Sequence, residues 1–113
     1  MDAQPSFFDI DLRPVIEVQH DPDESLDTRF RNWLRANPHI LDLFVSLSLQ
    51  LQRNGRQHFG AKAIVERMRW EYAIQTQGSD FKFDNNFTSR LARAAVGRRP
   101  ELESLFEFRE LRS

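Results

Sequence analysis

The chain contains no cysteine, which excludes a disulfide scaffold, a thiolate zinc site and thiol catalysis together. Lysine is nearly absent too: fourteen of the sixteen cationic side chains are arginine. Codon composition also sets the Arg/Lys ratio, so this excess is not counted toward phosphate recognition. Glycine occurs at only four isolated positions, 55, 60, 78 and 97, spaced for turns and caps. No Walker loop, GxGxxG or GxSxG is present. His20, His39 and His58 stand apart, without HxH or HxxxH spacing, so a metal site is not expected. Ser46 and Ser48 fall inside an apolar helical stretch, where serine bonds back to the helix. Asp21 and Asp23 belong to a solvated acidic run. The expectation is a non-enzymatic protein with no cofactor.

Long hydrophobic runs are missing as well. The densest, Ile40 to Leu51, is interrupted by Asp42, Ser46, Ser48 and Gln50 and is too short to span a bilayer. The opening Met1-Asp2-Ala3-Gln4-Pro5 has neither a basic nor an apolar signal region. A cytoplasmic protein without membrane contact is expected. Its 113 residues, 40% hydrophobic with ten phenylalanines, suffice for one core.

What the chain does have is segregated charge. Residues 51–100 carry ten Lys/Arg against four Asp/Glu, whereas residues 1–50 carry four against nine. The net charge is only −1.

Residues 1–24 read as an extended arm, whether strand, a segment laid on the body or a frayed tail, ended by Asp21-Pro22-Asp23-Glu24. Residues 25–113 read as a helical domain. Leu26, Phe30, Trp33 and Leu34 share one helix face. Asn37 as N-cap and Pro38 at the first position open the next helix, apolar around most of its axis and therefore central. Ala61, Ile64, Val65, Met68 and Tyr72 form the core stripe of a third. Trp70 lies opposite, and packing against the arm is favoured over an exposed contact.

Alternation at Tyr72-Ile74-Thr76 and at Phe81-Phe83, around Gln77-Gly78-Ser79-Asp80, suggests a short β-hairpin; helix continuing to Thr76 is the competitor. Asn85 or Asn86 then caps a fourth helix that buries Phe87, Leu91, Ala94 and Ala95 and ends at Gly97. The fold class expected is mainly α: four to five helices around a central buried helix, with one hairpin and a winged-helix-like arrangement open.

The basic segment 82–99 is the candidate site. Ser89, Arg90 and Arg93 point outward from the fourth helix, Thr88 and Ser89 sit at its positive end, and Arg98 and Arg99 extend the strip. Lys82, Asn85 and Asn86 precede it. Arginine, asparagine and hydroxyl side chains are those that hold phosphates and read base edges. Duplex DNA is the partner expected. The competing readings are structural: Asn85 and Asn86 as turn residues, Arg93 paired with Glu101 or Glu103, and Arg98 and Arg99 as ordinary helix-end cations. The alternative function is a protein-interaction module binding or inhibiting a host protein through Gln4, Phe7 and Phe8, and a homodimer is open.

Two resemblances bear on this. Phe30-x-x-Trp33-x-x-x-Asn37-Pro38-His39, Ile64-x-Glu66-x-x-Arg69-Trp70, Phe81-Lys82-Phe83-x-Asn85-Asn86, Leu91-Ala92-Arg93, Pro100-Glu101 and Phe106-Glu107-x-Arg109 together resemble a group of small phage- and prophage-type proteins over residues 28–112. This implies a phage or mobile-element context rather than a particular role. The element order also resembles winged-helix and helix-turn-helix DNA-binding domains, although about thirteen residues separate the third and fourth helices where a simple helix-turn-helix has three or four. In the arm, Gln4-Pro5-Ser6-Phe7-Phe8 is similar to the short peptides that dock into the bacterial sliding clamp.

Overall fold

The computed structural model describes residues 12–76 and 81–106. Four α-helices follow one another: α1 (Leu26–Ala36), α2 (Pro38–Arg53), α3 (Ala61–Gln75) and α4 (Thr88–Arg98). Short 3₁₀ turns occur at Asn85–Phe87 and Pro100–Ser104.

Local chemistry accounts for most of the boundaries. Ser25 caps α1, its hydroxyl accepting from Thr28 N at 3.2 Å. Pro38 occupies the first turn of α2, where its missing N–H costs nothing. Gly55 follows α2 with φ +78°, the left-handed conformation in which glycine alone avoids a steric penalty. Phe59 N donates to Leu105 O at 2.7 Å, tying the α2–α3 connection to the C-terminal turn.

α2 is the centre of the molecule. It contacts α1, α3 and α4, and Ile40, Leu43 and Phe44 are wholly buried. α1 contributes Phe30 and Trp33, α3 contributes Ile64, Val65, Met68 and Tyr72, and α4 contributes Leu91, Ala92 and Ala95. Phe87 sits within an aromatic cluster with Phe30, Trp33 and Phe83. Ser48 donates to Phe44 O at 2.7 Å, as expected of a serine inside an apolar helix. No helix among the described residues is long and apolar enough to cross a membrane.

Several expectations require correction. The described residues contain no β-strand, so the hairpin and the winged-helix-like arrangement are absent among them. The proposed turn, 77–80, lies outside the described residues. α3 runs on to Gln75 because Tyr72 completes the stripe begun at Ile64 and Met68. Phe81 and Phe83 do bury in an extended segment, but Arg69 Nη1 donates to Phe81 O at 3.2 Å in place of a neighbouring strand.

Trp70 is 62% exposed rather than packed beneath the arm. Asn85 and Asn86 do not cap the following turn; Asp84 does, accepting from Asn86 N at 2.9 Å. α4 passes through Gly97 to Arg98.

Asn37 is the most instructive correction. Its side chain makes no capping bond and is fully buried. Its Oδ1 accepts from Ile16 N at 2.7 Å, while Nδ2 donates to Ile16 O at 2.9 Å and to Trp33 O at 3.0 Å. The side-chain amide thus supplies residue 16 with both bonds that a neighbouring strand would supply. Tyr72 donates to Arg13 O at 2.6 Å, and Pro14 O accepts from His39 Nε2 at 3.2 Å. With Val15 buried between these bonds, residues 13–16 are fastened to the helices.

Candidate nucleic-acid interface

Folding brings the acidic first half of the chain against the basic second half, and much of the charge asymmetry cancels. Lys82 pairs with Glu17 at 2.8 Å, Arg90 with Asp27 at 2.5 Å, and Arg98 with Asp42. Arg99 holds one oxygen of Glu101 through Nη2 and Nε at 2.8 and 3.1 Å. Lys82, Arg90, Arg98 and Arg99 therefore each lie beside a carboxylate, and the expected cationic strip is broken up.

The hydrogen bond from Lys82, reinforced by its charge, holds the Glu17 carboxyl below its ordinary range. The hydrogen bond from Arg99 does the same chiefly to Glu101, and Arg99 is raised in return. Lowered carboxylates stabilise at neutral pH, and that contribution disappears as pH falls through the lowered pKa. Being solvent-exposed, these pairs contribute little.

Asn85 is engaged structurally, its Oδ1 accepting from Arg69 Nη2 at 3.3 Å. Arg69 also reaches Glu66 and lies over the Phe81 ring, so one guanidinium organises the turn before α4. Asn86 and Ser89 are exposed, and Thr88 is half-buried. Gln4, Phe7 and Phe8 lie outside the described residues.

Arg90 and Arg93 do come together, along with a residue the sequence reading did not single out. An open groove of about 450 Å³ runs between α1 and α4, lined by Asp27, Phe30, Arg31, Arg90, Arg93 and Ala94. On α4, Arg90 and Arg93 share a face through their i,i+3 spacing; on α1, Asp27 and Arg31 do so through i,i+4. Buried Phe30 forms the floor.

Asp27 holds Arg90 in place, and the Arg90 side chain is only 13% exposed. Arg31 is exposed and has no acidic partner among the described residues. Among the described residues lining the groove there are three guanidiniums and one carboxylate, and that carboxylate is paired with Arg90. Arg35 continues the cationic edge one turn beyond Arg31 and borders a second concavity with Arg13 and His39. The available signal was the Arg31/Arg35 spacing on the polar face of α1, hidden by the acidity of that half of the chain. Neither a family model, nor a curated protein, nor a solved structure matches this chain.

Proposed function

We propose that the protein is a non-enzymatic nucleic-acid-binding protein, with duplex DNA as its ligand and the α1–α4 groove as its contact surface. The observation that carries this reading is the convergence of Arg31, Arg90 and Arg93 on one open groove, where Asp27 is the carboxylate among the described lining residues. Planar guanidinium forks match phosphate oxygens in pairs. Ser89, exposed beside Arg90, adds a hydroxyl of the kind that holds sugar–phosphate backbone. The reading narrows the expected 82–99 interface to its centre and adds α1. The resemblance to phage- and prophage-type proteins supports a mobile-element context for this binding.

Binding to a fluorescently labelled duplex should weaken steeply with salt. For two neutralised phosphates, at Arg31 and Arg93, the log–log slope is about −2, since Arg90 is already paired with Asp27. Arg31→Ala with Arg93→Ala should weaken binding roughly tenfold or more and bring the slope near zero. Arg98→Ala with Arg99→Ala, removing cations that already have carboxylate neighbours, should change affinity by less than about twofold. Fluorescence anisotropy at several salt concentrations checks all three. Equal losses from the two double variants would disqualify the groove.

A further inference from the structure

A cavity of about 290 Å³ lies between α2 and α3, with Leu47, Leu51, Phe59, Ala63 and Ile64 as its apolar wall. Leu47 and Ile64 are buried, but Leu51 and Phe59 are only partly so and Ala63 is exposed. Part of this wall therefore faces water. The volume falls at the lower limit of small-molecule pockets, which span about 300–1,000 Å³. It has room for one or two apolar side chains rather than for a helix.

Three contacts bring the C-terminal part of the chain to this cavity. Gln52 Nε2, in the last turn of α2, donates to Ser104 Oγ at 3.2 Å. Phe59 N donates to Leu105 O at 2.7 Å, and Phe59 itself lines the cavity. The Phe106 ring then stacks on Phe44 with centroids 5.7 Å apart, both residues being buried. Phe44, Leu47 and Leu51 recur at i, i+3 and i+7 of α2, so they share one face. The surface beneath Phe106 thus continues into the α2 wall of the cavity, and the next residue is the first outside the described ones.

We propose that the cavity is the docking site of residues 107–113 of the same chain, Glu107-Phe108-Arg109-Glu110-Leu111-Arg112-Ser113. Phe108 would enter against Leu47 and Phe59, and Leu111 would follow toward Leu51 and Ala63. The reach is sufficient. From Phe106 the chain spans at most about 7 Å to Phe108 and about 17 Å to Leu111. Along the α2 axis, Leu47 is about 4.5 Å and Leu51 about 10.5 Å from Phe44. Removal of these two apolar side chains from water provides the attachment. The cavity shares no lining residue with the α1–α4 groove, so either reading can fail alone.

The test uses the full chain, whose lack of cysteine lets Ser113→Cys carry a single nitroxide label. Docking holds the label beside the cavity, so it should broaden the methyl signals of Leu47, Leu51 and Ile64. Phe108→Ser with Leu111→Ser should lower the ratio of docked to free segment at least roughly tenfold and relieve that broadening. Ala63→Phe fills the mouth of the cavity without altering the segment, and should relieve it as well. Phe108→Leu should keep the broadening while changing the Leu47 methyl shifts, because the ring current is lost. No broadening at these methyls would overturn the proposal, as would broadening that both the double serine and the Ala63→Phe chains retain. Isotope-labelled native chain mixed with spin-labelled chain lacking isotope should show no broadening. Broadening in that mixture would put a second copy in the cavity and overturn the proposal too.

Discussion

Phe87→Ala is expected to destabilise the protein by about 3–5 kcal/mol, a large share of the roughly 5–15 kcal/mol typical of a domain. Phe87 is 1% exposed and joins the arm and α1 to the segment that leads into α4. Its ring lies 5.4 Å from Phe30 and 5.5 Å from Trp33 on α1, and 6.4 Å from Phe83 in the extended segment before α4. His20 meets its edge from the arm at 6.4 Å. Removing the ring therefore opens a cavity bordered by several elements, none of which can collapse into it without disturbing the others. Phe87→Leu keeps most of the volume but loses the ring contacts, and should cost about 1–2 kcal/mol. Equilibrium urea unfolding measures both. Comparable losses for alanine and leucine would show that aromatic geometry, rather than volume, holds the cluster.

Asn37→Ala is the second large effect, about 2–4 kcal/mol, arising from stranded backbone groups instead of a cavity. The amide is fully buried and satisfies both the N–H and the C=O of Ile16. Alanine leaves those groups to find water by undocking residues 13–16, or to remain buried without partners. Hydrogen exchange separates this from a global effect: the Ile16 amide should lose protection well before the amides of α2. Asn37→Asp keeps the acceptor for Ile16 N but loses both Nδ2 donations. With its second oxygen against the Ile16 and Trp33 carbonyls in a fully buried site, it should cost at least as much as alanine at neutral pH. Unchanged protection at Ile16 in the alanine protein would mean that Tyr72 and His39 alone fasten the segment.

These two sites show where the sequence was legible and where it was not. The central position of α2 follows from apolar residues all around its axis, and the core faces of α1 and α3 follow from their spacing. Both signals are local and both survive folding. The hairpin did not, because Tyr72, Ile74 and Thr76 satisfy a period of two while Ile64, Met68 and Tyr72 satisfy the helical period. Burial favours the helical set, leaving Ile74 in solvent.

Asn37 before a proline has the local pattern of a helix cap, and nothing local reveals a bond to a residue 21 positions away. Charge failed for a related reason. Counting by segment places the cations of residues 51–100 on one surface. The fold instead sets Glu17, Asp27 and Asp42 of the first half beside Lys82, Arg90 and Arg98 of the second. Arg31 was overlooked by the same count, since it belongs to the acidic half yet lines the groove with Arg90 and Arg93.

The groove is tested most directly by mapping backbone amide shifts as a short duplex is added to the isotope-labelled full chain at low salt, where phosphate contacts are strongest. The largest, saturable changes should fall at Arg31, Ser89, Arg90 and Arg93, on two helices far apart in sequence. Changes centred instead on Lys82, Arg98 and Arg99, or on α3 around Trp70, would contradict the assignment; so would a spectrum that the duplex leaves unaltered.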